Sequence, residues 1–388
     1  MRSDRLVYLD HAAATPLEPE VAAAIASAQA EAYANPSSQH AAGRTARRLL
    51  EDARDRILSL LGGRGTGPHR DRLVFTSGSS EANHLAIVGM VSGIDTVGTV
   101  CFSRRDHASA SHAVIAAGRR GWRTEQLPLD ACGRIEPHAA ADRLALAGSV
   151  GPSILSQTLV CGQTGSIDAA AAIASLATLV HVDATQAAGL LPIDFSAIHA
   201  ATLALAPHKF GGPRGIGGLL IRGGVPLEPV LAGTQEQGLR GGTEAVPLAV
   251  GFARAVELAA RDRDAAAVHV AAVRDRFERQ VLAAAREAGV AATVVGDGGP
   301  RAPHVSTIAF PGVDRQALAM AADLAGVCLA TGSACSSGSS EPAPALVAMG
   351  LPDDVVRGAV RFSFGRATTG DEIDLAVERI LPLVKRHP

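Results

Sequence analysis

Residues 72–91 read RLVFTSGSSEANHLAIVGMV, and the change of character inside this stretch decides the fold. Its first residues are a short apolar run rich in β-formers, which predicts a strand. A Gly/Ser turn at 77–80 breaks the run, and the apolar spacing that follows is helical. A strand passing through a small-residue turn into a helix is the building unit of an α/β domain. The unit recurs outward along the chain. TVCFSR (99–104), SILSQTLV (153–160), LATLVHVDATQ (176–186) and GGLLIRGG (217–224) are further strand candidates. PEVAAAIASAQAEAYA (19–34) and TARRLLEDARDRILSLLG (45–62) read as amphipathic helices. The alternation predicts an α/β fold with a mainly parallel central sheet.

Beyond it the pattern changes. Residues 246–288 form a long helical stretch rich in Ala and Arg, with room for breaks. HVSTIAFPG (304–312) and AVRFSFGR (359–366) then read as strands, and DRQALAMAADLAG (314–326) and GDEIDLAVERILPLVKR (370–386) as helices. These runs predict a smaller α+β domain. The expected division is a large domain of residues 15–255 and a small one built from 1–14 and 256–388.

Composition narrows the function classes. Hydrophobic residues make up 47% and charged residues 19% of 388, with a net charge of −2, so neither a nucleic-acid nor a membrane partner is indicated. No apolar run reaches bilayer length and the N-terminus lacks a signal-peptide core, which makes the cytoplasm the expected location. Five scattered cysteines without zinc-site spacing suggest free thiols in a reducing compartment.

Of 36 Lys plus Arg only two are lysines, Lys209 and Lys385. Lys209 follows an apolar run in LALAPHKFGGPRGIGG (203–218), where a strand end is expected. Arginine cannot serve as an amine nucleophile or form a Schiff base, which gives a reason to keep a lysine there. Asp183 ends the apolar LVHVD, placed to hold a pyridinium nitrogen protonated. Gln186 lies three residues on, either facing solvent or reaching a phenolic oxygen. The turn at 77–80, with Ser79 and Ser80, opens a helix and can hold a phosphate. His107, after another strand, is either structural or stacked on a ring. Taken in order, these residues spell out a pyridoxal phosphate (PLP) site.

The motifs YLDHAAATP, NPSSQHAAGR, VFTSGSSEAN, HVDATQAAG, HKFGGPRGIGG, GLRGGTEAVP, TGSACSSGSSEP and VRFSFGRATT run nearly end to end. In them the chain resembles the cysteine desulfurases of the NifS/IscS type, class-V enzymes of the PLP-dependent transferase fold (aspartate aminotransferase-like, fold type I). The resemblance implies that Lys209 carries PLP as a Schiff base and that Asp183 pairs with its ring nitrogen. It implies that His107 stacks on the ring, Gln186 hydrogen-bonds it, and Ser80 and His208 contact the phosphate. Thr243 would reach that phosphate from the second subunit of a homodimer. Asn35 and Arg361 would line the substrate pocket, Arg361 on the carboxylate. Cys335 would be the second nucleophile, taking sulfur from L-cysteine as a persulfide and passing it to an acceptor protein, with alanine released. Iron–sulfur cluster assembly and tRNA thiolation are uses of that sulfur which the resemblance suggests. Cys328, in the apolar LAGVCLA, fits an inert role.

The chain departs from that family's pattern in three places. Cys161, Gly162 and Gln163 stand where an asparagine pair and an acid are usual; Ala206 stands for a phosphate-binding serine, and Gln237 for an arginine. Two other readings therefore stay open. One is a related class-V lyase or aminotransferase acting on selenocysteine, cysteine sulfinate or another amino acid. The other is a degenerate homologue kept as a scaffold.

Overall fold

A computed structural model describes residues 6–168, 171–332 and 341–385. In chain order, strand β1 (Val7–Tyr8) precedes helices α1 (Pro19–Glu31) and α2 (Ala41–Leu60). The strands and helices then alternate: β2 (Arg72–Thr76), α3 (Ser79–Ser92), β3 (Thr99–Ser103), α4 (Ala108–Gly118), β4 (Arg123–Leu127), α5 (Pro137–Ser149), β5 (Ser153–Thr158), α6 (Ala171–Ala174), β6 (Leu179–Asp183), β7 (Thr202–Leu205) and β8 (Gly217–Ile221). Helix α7 (Val246–Glu287) leads to β9 (Thr293–Val294), β10 (Val305–Ala309), α8 (Arg315–Leu324) and β11 (Val327–Cys328). The last elements are α9 (Pro344–Ala348), α10 (Asp353–Arg357), β12 (Ala359–Ser363) and α11 (Gly370–Lys385).

Among the described residues, seven strands form one sheet in the order β2-β8-β7-β6-β5-β3-β4. Only β8 runs against its neighbours; the other pairs are parallel. Side chains alternate between faces along each strand. Leu73 and Phe75 therefore pack on one side with Ile57 of α2 and Phe252 of α7. Val74 faces the other side with Ala82 and Leu85 of α3. Apolar residues on both faces are what a covered parallel sheet requires.

Helix α7 runs unbroken for 42 residues, without the breaks the sequence left room for. Its proline, Pro247, sits in the first turn, where a missing N–H costs nothing. Its glycine, Gly251, is where α1 comes closest: a Cβ there would meet Ile25 at 2.5 Å. Phe252 and Val256 belong to the large core, whereas Val270, Val273 and Phe277 belong to a second one. In that second core the Phe277 ring lies 4.6 Å from Phe362 and 5.4 Å from Phe364, centroid to centroid.

The second core is roofed by the antiparallel sheet β12-β10-β9 and by the parallel pair β1-β11. The N-terminal segment is stitched into both. Val7 and Leu9 donate to Gly326 and Cys328, and Ser363 donates back to Leu9. Among the described residues no helix is long and apolar enough to cross a membrane.

Candidate active site

The polar residues that stand out in the sequence gather past the carboxyl ends of the strands, where open α/β sheets place their ligands. Ser79 and Ser80 open α3 directly after β2. Gly78 caps that helix without a side chain, and a Cβ there would meet nothing within 4 Å. Space is therefore open beside Gly78 at the first turn of α3. Beside it β8 can pack only because residue 217 is glycine: a Cβ would lie 2.5 Å from the Gly78 backbone.

His107 caps α4, its Nδ1 accepting from Ser109 N at 3.2 Å. Burial lowers its pKa; Asp183 opposes that shift, while Lys209 and Arg361 add to it. These four residues thus share one electrostatic neighbourhood. Asp183, buried at the end of β6, accepts from Thr185 N at 2.9 Å and from Asn83 Nδ2 at 2.8 Å.

Lys209 ends a short 3-10 turn after β7. Its Nζ donates to Ala12 O at 2.7 Å and Ala13 O at 2.9 Å. Neighbouring His208 is pushed down to about 4 by burial, with the positive charges of Lys209 and Arg214 acting the same way.

Gln186 Nε2 donates to the same Ala12 carbonyl at 2.8 Å. Because that carbonyl can only accept, the amide is oriented, and Gln186 Oε1 takes a hydrogen bond from His304 Nε2 at 3.0 Å. Burial drives the His304 pKa down to about 3, and Arg361 and Lys209 reinforce the shift. Its imidazole is neutral, with the proton on Nε2.

Arg361 lies on β12 opposite Thr307. Its guanidinium reaches Gly162 O at 3.0 Å and Asp10 Oδ1 at 2.9 Å. Its buried Nε has no hydrogen-bond partner among the described residues.

Of the departures from the usual pattern, Gly162 and Ala206 adjoin this cluster, whereas Gln237 sits in a separate turn at Glu236–Gly238. A Cβ on Gly162 would meet the Gln186 side chain at 3.5 Å, an ordinary contact, so the backbone there does not demand a glycine. Gln163 is buried, and neither atom of its amide finds a partner among the described residues. Ala206 is fully buried and offers no hydroxyl.

Two of the expected site residues stand apart from the cluster. Asn35 is exposed and spends its side-chain oxygen on Ser37 N, while Thr243 is exposed on the loop before α7. Cys335 lies outside the described residues. Of the other thiols, burial raises the pKa of Cys328, and that of Cys101 to about 12.

Four residues of the site were not picked out by sequence reading: Asp10, Asn83, His181 and His304. For Asn83 and His181 a signal was available, since each is a polar residue beside the apolar run of a largely buried helix or strand.

The family model for class-V aminotransferases matches residues 7–376. The chain belongs to the class-V aminotransferase family. Within it, the chain is 36% identical over 384 residues to a cysteine desulfurase of Cereibacter sphaeroides, covering 97% of this chain and 95% of that one. A solved NifS-like protein superposes with a TM-score of 0.86 at 25% identity, across 97% of this chain and 99% of its own. A structure described as SspA in complex with cysteine superposes at 0.74 with 26% identity, covering 93% and 99%. The seven-stranded, mainly parallel sheet carries the polar cluster at its strand ends.

Proposed function

We propose that this class-V protein is a PLP-dependent cysteine desulfurase acting on L-cysteine. The observation that carries the reading is the convergence of Lys209, Asp183 and His107 past the carboxyl ends of the large sheet's strands, with Arg361 of β12 in the same electrostatic neighbourhood. The donor set suits PLP. Lys209 supplies the one lysine amine near the cluster, Asp183 a buried carboxylate for a ring N–H, and the first turn of α3, with space open beside Gly78, a place for a phosphate.

When bound, PLP supplies an electrophilic carbon for the amine and a ring that stabilises negative charge at the substrate α-carbon. Lys209 would hold the cofactor, with Ser79, Ser80 and His208 near its phosphate, and Thr243 contributed by the partner of a homodimer. His107 would stack on the ring, and the spare Nε2 hydrogen of Gln186 would face its phenolic oxygen. Arg361 would orient the substrate carboxylate through its fork, with Asn35 beside it. Lys209 would also take the substrate α-proton as general base. The Cys335 thiolate would attack the substrate sulfur, so that L-cysteine and the Cys335 thiol become L-alanine and a Cys335 persulfide. That sulfur would then pass to an acceptor protein, with iron–sulfur assembly or tRNA thiolation as destinations. A class-V neighbour solved with cysteine supports this choice of substrate.

The test is alanine and sulfide release from L-cysteine with a thiol reductant, for wild type, Lys209→Ala and Cys335→Ala. Equal release of both products, lost in both variants, is expected. Cys335→Ala should keep the visible absorbance of bound PLP. Turnover that survives in Cys335→Ala would move the assignment to a lyase or aminotransferase on another amino acid.

A further inference from the structure

Asn83 stands one helical turn beyond Ser79 in α3, fully buried and turned toward the sheet. Three neighbours use its amide. Nδ2 donates to Asp183 Oδ2 at 2.8 Å and to Ser109 Oγ at 3.0 Å, and Oδ1 lies 3.0 Å from His181 Nε2. His181 Nδ1 in turn lies 2.9 Å from Thr202 Oγ1.

The proton positions along this chain follow from one fact: a carboxylate accepts and does not donate. Asp183 therefore faces the NH2 side of Asn83, and Oδ1 of that amide must face His181. His181 then carries its hydrogen on Nε2. Burial brings its pKa down to about 4, so it is neutral and its Nδ1 accepts from the Thr202 hydroxyl. On the other arm Ser109 Oγ accepts from Asn83, leaving its own hydrogen for His107 Nδ1 at 2.8 Å. The Ser109 backbone N–H points at the same nitrogen. Two donors on Nδ1 leave Nε2 as the protonated nitrogen of neutral His107.

We propose that Asn83 is a positioning residue that couples the two groups flanking the cofactor. Through one amide it orients the Asp183 carboxylate and fixes the tautomer of His107, while His181 and Thr202 lock the amide against flipping. The helix whose first turn faces the phosphate thus also sets the ring end of the site. The inference rests on the PLP reading given above.

The test combines side-chain nitrogen NMR of 15N-histidine-labelled apoprotein with PLP titration, the two imidazoles being assigned from His107→Gln and His181→Gln. Wild type should show His107 and His181 as neutral Nε2–H tautomers at pH 7. Asn83→Ala should mix the His181 tautomers, move the His107 titration and weaken PLP binding by about tenfold or more, the loss of a charge-assisted hydrogen bond. Ser109→Ala cuts only the second arm. It should move the His107 titration while PLP affinity stays as in wild type, and it serves where Asn83→Ala does not fold. A wild-type His107 protonated on Nδ1 overturns the relay without any variant. So does an Asn83→Ala protein with unchanged His107 titration or unchanged PLP affinity. A wild type that does not take up PLP defeats the functional reading instead, and the imidazole spectra still decide the relay.

Discussion

Lys209 and Gln186 share one acceptor, the carbonyl of Ala12, at 2.7 and 2.8 Å. Lys209 also reaches Ala13 O, so its removal leaves Ala12 bonded and strands only one carbonyl at the edge of the site. Lys209→Ala should therefore cost only about 1 kcal/mol of stability, the net worth of one ordinary hydrogen bond. Activity should vanish, and Lys209→Arg should not restore it, because guanidinium stays protonated. Urea unfolding beside the alanine assay checks both halves; a turnover-competent Lys209→Arg protein would refute the nucleophile assignment.

Arg361 is held on one side by Asp10 and on the other by the Gly162 carbonyl. Lysine keeps the charge there but loses the planar fork. Arg361→Lys should raise the KM for L-cysteine by about tenfold or more, with a smaller effect on kcat. An unchanged KM would mean that the substrate carboxylate binds elsewhere.

Gly162 is neither strained nor crowded, since it lies outside the positive-φ glycines and an added Cβ would touch only the Gln186 side chain. Gly162→Asn should fold normally and add an amide beside Gln186. One added hydrogen bond of about 1 kcal/mol corresponds to roughly a fivefold lower KM, with a shifted visible band of the bound cofactor. Wild-type kinetics and an unmoved band would argue that this corner does not face substrate or cofactor.

Glu236 is buried and left-handed, with φ 48°, followed by Gln237 at φ 59°. Such conformations are uncommon outside glycine and persist where the surroundings hold them. Here Glu236 takes a two-pronged ion pair from buried Arg54 and a hydrogen bond from Phe75 N. Glu236→Gln leaves the buried Arg54 charge paired only with the more exposed Glu51 and should destabilise the fold by about 3 kcal/mol. A denaturant midpoint equal to wild type would contradict this.

Three buried imidazoles set an acid limit. Burial holds His11 and His181 near 4 and His304 near 3, against 6.5 for a free histidine. Below 6.5 the unfolded chain takes up protons that the folded one refuses, so stability is full above that pH and falls as the pH drops toward 4. Asp106 works the other way, its burial raising it to about 7, and offsets one histidine. With half-buried His208, also near 4, added to the three, the net slope should be roughly 3–4 kcal/mol per pH unit around pH 5. Urea midpoints of apoprotein at pH 7.5 and pH 5 measure it; equal midpoints would show that the imidazoles are hydrated.

The sequence was most legible where chemistry and periodicity coincide. Lys209 and Asp183 could be placed because each ends an apolar run, and a strand end in an α/β sheet is also a site. Strands β4 and β7 were harder: β4 is mostly exposed and polar, and β7 has only four residues. Asp10 and His304 acquire their roles solely from partners far away in sequence, Arg361 and Gln186. No local spacing encodes such a meeting. Asn83 and His181 were legible in principle, since a buried polar side chain needs a partner.

The path of the N-terminal segment ties these observations together. Leu9 and Asp10 pair with β12, yet Ala12, Ala13 and Thr15 serve the surroundings of Lys209 and His208. A tight turn over residues 11–13, closed by Ala13 N donating to Asp10 O at 3.0 Å, separates the anchor from the acceptors. The segment is in effect a short folded clasp between the two cores. A shift of β12 would be passed through that clasp to the carbonyls that hold the Lys209 amine.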